Sequence, residues 1–371
     1  MTSGPRFLPY GDKLRQFLTQ PCISASDLNK FAKRKGYFSR GEKQDTVPFI
    51  CAAILSPSEF IELFSLARDN ENREKQNSHR RSTNSLTIEE ILNVEISKND
   101  VHSDEFSNYK ILGMPTPQIS TCGKKVVLEV EIERSDLLSN WTENKQIHEG
   151  KVEWSIDSNN NQLNVTESYG SKEVRSVIGK YARRFEKKLL ELGKIDKENV
   201  ADRIFFDSFS DNETRIRFML ACLSSNLSKG VDFEALIDVD FIVDATGDLP
   251  KDFNWVKGNV KKMALNGDHL DGTQFFSKSA YMQCIKVNSL TAKYKVILGL
   301  EEGVCRINLK FPTPLKAEKN VDMEVEVSLI GFEGKVSKPE LSAARKSILA
   351  GFEKKKFAAL AEFESKLKTA T

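Results

Sequence analysis

Between Asp69 and Ser85 the chain reads DNENREKQNSHRRSTNS, a stretch without one large apolar side chain. Such a segment has nothing to bury and cannot offset the entropy of ordering its backbone, so the composition predicts a flexible linker over residues 69–86. That punctuation separates a module at 1–68 from a body at 87–371, with one domain or two left open for the body and a seam available near 194–200. At roughly 150 residues per domain, a chain of this length holds two or three.

The charges nearly cancel, Lys+Arg 55 against Asp+Glu 53. A basic coat over the whole surface is therefore excluded, and any anion site must come from local clustering. No apolar run approaches the roughly 20 residues that span a bilayer, so no membrane association is expected. Residues 1–9 lack the basic and apolar segments of a secretory signal. Cys22, Cys51, Cys122, Cys222, Cys284 and Cys305 form no CxxC pair and read as reduced thiols of a cytoplasmic protein, which would leave the glycosylation patterns at Asn140 and Asn164 unused.

The first module reads as all-helical. Leu14, Phe17 and Leu18 give a stripe at helical spacing, and Ser24 with Asp27 resembles a capping box opening a helix with Leu28 and Phe31 inward. Gly36 is the expected left-handed stop. An extended piece, Tyr37 to Arg40, leads to a helix carrying Val47, Ile50 and Ile54, with Pro48 expected in its first turn. Ser56-Pro57-Ser58-Glu59 is a complete start signal for the next helix.

In the body, Thr87 and Glu90 cap a short helix, Lys125 to Arg134 alternates as a strand, and 151–156 and 162–167 flank a turn-rich DSNNN. A long helix covers Lys172 to Leu192, a shorter one Glu213 to Leu223, and a last one about Glu340 to Lys368. Strands are expected at 235–243, 260–265, 280–287, 292–298, 304–311 and 321–330, with turns at Glu301-Glu302-Gly303 and Asn266-Gly267. No βαβ rhythm is present, so the fold class is α+β: a small all-helical N-terminal module, a flexible linker, and a mostly antiparallel β-sheet body with long helices.

From Ile23 to Ile54 the pattern of Asp27-Leu28, Lys33-Arg34-Lys35-Gly36, an extended piece, Gly41 and Lys43 resembles the SAP, LEM and HeH group of helix–extended-loop–helix modules, with Tyr37 standing where an aliphatic residue is usual. The resemblance implies binding to DNA, or to protein as in LEM-type relatives. The residues support the first independently. Lys30, Lys33, Arg34, Lys35, Arg40 and Lys43 surround Gly41, where free helix N–H groups and the dipole attract phosphate, with Glu42 the one local acid. A solvated basic face is the bland alternative. From Leu8-Pro9-Tyr10-Gly11 to Phe60 the chain also resembles an N-terminal domain of bacterial two-gene anti-phage systems, where it sits on the subunit accompanying a PD-(D/E)xK nuclease. That resemblance implies a nucleic-acid-sensing adaptor with a nuclease partner, and not the catalyst.

The helix Lys172 to Leu192 sets Arg175, Arg183, Arg184 and Lys187 on the side opposite its apolar stripe, a second nucleic-acid or acidic-partner surface. The C-terminal helix, with Leu341, Ile348, Leu349 and Phe352 inward, reads as core or subunit contact, and a homo-oligomer is open. Asp238 and Asp240, with Asp244, could hold Mg²⁺ in a divergent nuclease or nucleotidyltransferase, but a half-buried strand with a polar outer face produces the same spacing. His79, His102, His148 and His269 lack metal-ligand spacing, His79 reading as part of a basic tail beside Arg80 and Arg81. Phosphate-loop and zinc-protease motifs are absent from the sequence. The expectation is a non-enzymatic adaptor without cofactor or metal, binding duplex DNA and a protein partner; a protein-interaction scaffold is the other alternative.

Overall fold

The computed structural model describes residues 8–369 apart from 21–22, 24, 39–41, 72–73, 95, 97–100, 102–107, 122, 136–144, 158–160, 196–201, 245–248, 257–259, 261, 313–321 and 333–335. The chain forms two compact units, Met1–Glu74 with Ser82–Lys197 and Lys75–Arg81 with Glu198–Thr371.

The first unit opens with four helices, α1 (Asp12–Leu18), α2 (Ala25–Arg34), α3 (Lys43–Ala52) and α4 (Pro57–Glu71). They share one core of Leu14, Phe17, Leu28, Phe31, Ile50 and Phe60, with Phe17 and Phe60 at 5.5 Å between ring centroids. Gly36, at φ +79°, stops α2: its N–H donates to the Lys33 carbonyl (3.0 Å), and the Tyr37 N–H donates to that of Ala32 (2.9 Å). This is the paired bonding of a left-handed helix end, which glycine adopts without a Cβ penalty. At α4 the Ser56 N–H donates to Glu59 Oε2 (2.8 Å) and the Glu59 N–H to Ser56 Oγ (3.3 Å), a reciprocal cap. Buried Thr46 ties α3 to α2 by donating to Asn29 Oδ1 at 2.7 Å. Pro48 does not lie in the first turn as expected; it sits in the middle of α3. Ser24, and with it the expected cap of α2, lies outside the described residues.

The expected linker is corrected most sharply. Lys75–Ser82 is a strand, β1, belonging to the second unit, and Gln76, Asn77, Ser78 and His79 are buried. Its polar side chains are tolerated because partners reach them. Lys356 Nζ donates to Ser78 Oγ (2.6 Å), which itself donates to Glu353. His79 Nε2 lies 3.2 Å from Arg203 Nη2, and Arg203 in turn pairs with Asp322 at 2.6 Å. The Arg80 guanidinium covers the Phe357 ring at 3.8 Å. His79 is thus an interior residue and not part of a basic tail.

The first unit continues with α5 (Ile88–Leu92), which carries the expected Thr87–Glu90 cap, and then with β2 (Tyr109–Leu112), β3 (Gln118–Ile119), β4 (Lys125–Ser135), β5 (Lys145–Asp157), β6 (Gln162–Tyr169) and α6 (Lys172–Glu191). These strands are antiparallel in the order β2–β4–β5–β6, with β3 also on β4. Alternation along β4 turns Val126, Leu128, Val130 and Ile132 into the core. There α6 packs, with Trp154 stacked on Phe185 at 4.3 Å.

The second unit adds α7 (Asn212–Leu223), β7 (Val231–Val243), β8 (Lys262–Asn266), α8 (Gln274–Ser277), α9 (Ser279–Met282), β9 (Ile285–Leu298), β10 (Glu301–Lys310), β11 (Glu324–Ile330) and α10 (Lys338–Thr369). Its strands run antiparallel as β1–β11–β10–β9–β7–β8. The strands expected at 280–287 and 292–298 are otherwise arranged: Ser279–Met282 is helical, and Ile285 to Leu298 forms one strand. Glu301 pairs with Leu298, so the turn is Gly299-Leu300 with Gly299 at φ +64°, and Glu301 to Gly303 belong to β10. Asn266-Gly267 leads into a 3-10 turn and not into a hairpin.

Candidate nucleic-acid interface

The Gly36 turn carries the basic run of α2 straight into Tyr37 and Phe38. Lys30 and Lys33 are exposed, and neither forms an ion pair among the described residues. Three of the other cations expected here have protein partners. Arg34 pairs with Glu62 at 2.6 Å, and Lys35 with Glu59 at 2.6 Å. Lys43 donates to the Gln20 carbonyl at 2.8 Å. Arg40 and Gly41 lie outside the described residues. Lys35, together with the Ser56 cap, holds the Glu59 carboxyl down at about 2, well below the usual carboxylate range.

The charges are accompanied by aromatic rings that spacing did not single out. Tyr37 stacks on Phe49 of α3 with 3.4 Å between centroids and 19° between planes. Phe49 still leaves 50% of its surface in solvent, Phe38 leaves 75% and Ile54 93%. The Lys35 ammonium reaches the Ile54 carbonyl at 3.4 Å, which draws the end of α3 toward the same turn. In the sequence the signal is Tyr37-Phe38 directly after a basic run, a pairing that charge and helical spacing do not single out.

The second expected surface is smaller than its spacing suggested. Arg183, Arg184 and Lys187 of α6 are exposed, with Lys187 3.9 Å from Glu191 in a solvated pair of little energetic weight. Arg175 is 7% exposed and leaves the candidate set. The reason is the breadth of the buried face: Gly179, Ala182 and Glu186 are buried beside the apolar stripe of Val174, Val177, Ile178 and Tyr181, so the stripe alone underestimates how much of α6 is covered.

Asp238 and Asp240 line a shallow cavity of about 260 Å³ with Asn266, Ser289, Thr291 and Asn308. Asn266 donates to Asp238, and Asn308 Nδ2 donates to Ser289 Oγ (2.9 Å) and Thr291 Oγ1 (2.8 Å). Asp244 is paired with Lys286 at 3.0 Å. Among the described residues no three His, Cys, Asp or Glu side chains converge as a metal site. A larger cavity of about 410 Å³ over β4 and β5 is lined by Glu74, Glu129, Glu131, Glu149 and Lys151, an acidic surface that repels phosphate.

The described fold and surface define an α+β protein that carries a small helical module with a basic, aromatic turn. Residues 12–73, which span all four helices of that module, match the family model described as the GAPS4b protein N-terminal domain. No curated protein and no solved structure matches the chain. No helix among the described residues is long and apolar enough to cross a membrane.

Proposed function

We propose that this protein is a nucleic-acid-binding adaptor subunit of a bacterial antiviral defence complex, non-enzymatic itself and acting beside a nuclease partner. The defence assignment is supported by the match over residues 12–73 together with the resemblance of the same region to the accessory subunits of two-gene anti-phage systems. The binding assignment is carried by one observation: Lys30 and Lys33 stand exposed on α2 without an ion partner among the described residues, while Lys35 and Lys43 bond to other helices and loops of the module. Two such ammonium groups on one helical face, three residues apart, are free to neutralise two phosphates.

The test is a salt titration of oligonucleotide binding by the full chain and by Lys30→Ala/Lys33→Ala. Each phosphate contact contributes about 0.9 to the slope of log affinity against log salt on duplex and about 0.7 on a single strand, so the double variant should bind more weakly with a slope shallower by about 1.4–1.8. Equal affinity and slope in the two proteins would overturn the assignment of the site.

A further inference from the structure

We infer that the surface carrying Lys30, Lys33, Phe38 and Phe49 takes an unpaired nucleic-acid strand, with bases stacking on Phe38 and on the outer side of Phe49 while Lys30 and Lys33 hold the phosphates. The inference rests on the nucleic-acid reading above and narrows its substrate class, replacing the expected duplex.

The observation behind it is the placement of the rings. Phe38 has 75% of its surface in solvent, and Phe49, already stacked on Tyr37, has 50%. Both stand outside the module's core, which is complete without them. Phe38 gains little from folding and Phe49 keeps half of its surface in water, so two exposed rings beside a stacked tyrosine suit a partner offering flat apolar faces. In a duplex the base faces are covered by their neighbours, and only edges and backbone are presented. An unpaired strand offers a π-face at every base and a phosphate at every step, which is what aromatic residues interleaved with lysines bind. Lys33 is five residues before Phe38, with the Gly36 turn between them. The local charge selects among occupants. An apolar peptide would cover the rings but leave Lys30 and Lys33 uncompensated, whereas a nucleic-acid strand answers both.

The experiment measures binding of the full chain to labelled dT20, rU20 and a hairpin duplex of equal length at fixed salt, for the unmodified protein and for Phe38→Ala, Phe38→Leu and Phe38→Trp. Phe38 is exposed, and circular dichroism verifies that each variant keeps its helices. The unmodified chain should prefer a single strand to the duplex, and the tighter of dT20 and rU20 names the source. Loss of one stacked base should weaken single-strand binding roughly 5- to 150-fold in Phe38→Ala. Phe38→Leu should lose as much, because it keeps apolar area without a ring, and Phe38→Trp should retain binding. Duplex affinity should not respond to any of the three. The inference is overturned if the duplex binds as tightly as the single strands, or if Phe38→Leu binds like the unmodified protein, the result a peptide-docking surface would give. The Lys30→Ala/Lys33→Ala protein separates the two levels: weaker binding there with no effect at Phe38 removes the stacking inference alone, and no effect at either site removes the nucleic-acid reading with it.

Discussion

Gly150→Ala is the substitution whose consequence can be worked most directly from the structure. Gly150 lies in β5 and is paired with Val130 on one side and Tyr169 on the other, so its backbone is held from both directions. A Cβ at this position would stand 2.2 Å from Val174 Cγ1, 3.1 Å from the Ser168 carbonyl oxygen and 3.4 Å from Ile178 Cγ2. Carbon atoms settle at about 3.5–4.0 Å, so α6 would have to lift by more than about 1 Å. Val174 cannot swing aside, because a β-branched residue in a helix has one favoured rotamer and this one is buried. Overpacking costs about 1–3 kcal/mol, and with neither side able to yield we expect the upper end, about 3 kcal/mol. Val174→Ala alone removes two methyl groups and should cost about 1–3 kcal/mol through lost burial and a cavity. In the double variant the new methyl occupies the vacated space, so the two effects should fall short of their sum by about 1–3 kcal/mol. The assay is urea denaturation followed by the fluorescence of Trp154, which is buried on the same strand against Phe185. Additivity within about 0.5 kcal/mol would refute the reasoning, because the helix would then not approach the strand at this glycine.

Two further outcomes follow from titratable groups. Because the Glu59 carboxyl is held down at about 2 from an ordinary 4.5, its stabilising contribution is fully present above pH 4.5 and is lost as the pH falls toward 2; Glu59→Gln should flatten that part of the acid profile, read by amide exchange in α4. Burial pushes the thiols of Cys222 and Cys305 up to about 12, so iodoacetamide at pH 8 should leave both unmodified in the folded chain and label them only after unfolding, as mass spectrometry of tryptic peptides will show.

The features legible in the sequence are those decided within a few residues. The Gly36 stop, the Ser56–Glu59 and Thr87–Glu90 caps and the alternation of β4 each depend on contacts close along the chain or on a simple period, and they stand in the structure where the sequence puts them. The α+β class follows from the same signals. What only the tertiary structure decided depends on partners far away. β1 carries no apolar residue, yet it is buried because β11 pairs with its backbone and Lys356, Glu353 and Arg203 meet its side chains, residues more than a hundred positions distant. Composition reports only what a segment can bury, and not what other segments bring to it. The same limit governs the candidate interface. Eleven residues could be proposed from charge and spacing, but the pairing of Lys35 with Glu59, the bond from Lys43 to Gln20 and the burial of Arg175 tie some of them to the fold, while the Tyr37–Phe49 stack brings in rings that charge alone could not reveal. A lysine's sequence neighbours are visible in advance; whether a carboxylate from another helix has already claimed it is settled only when the helices pack.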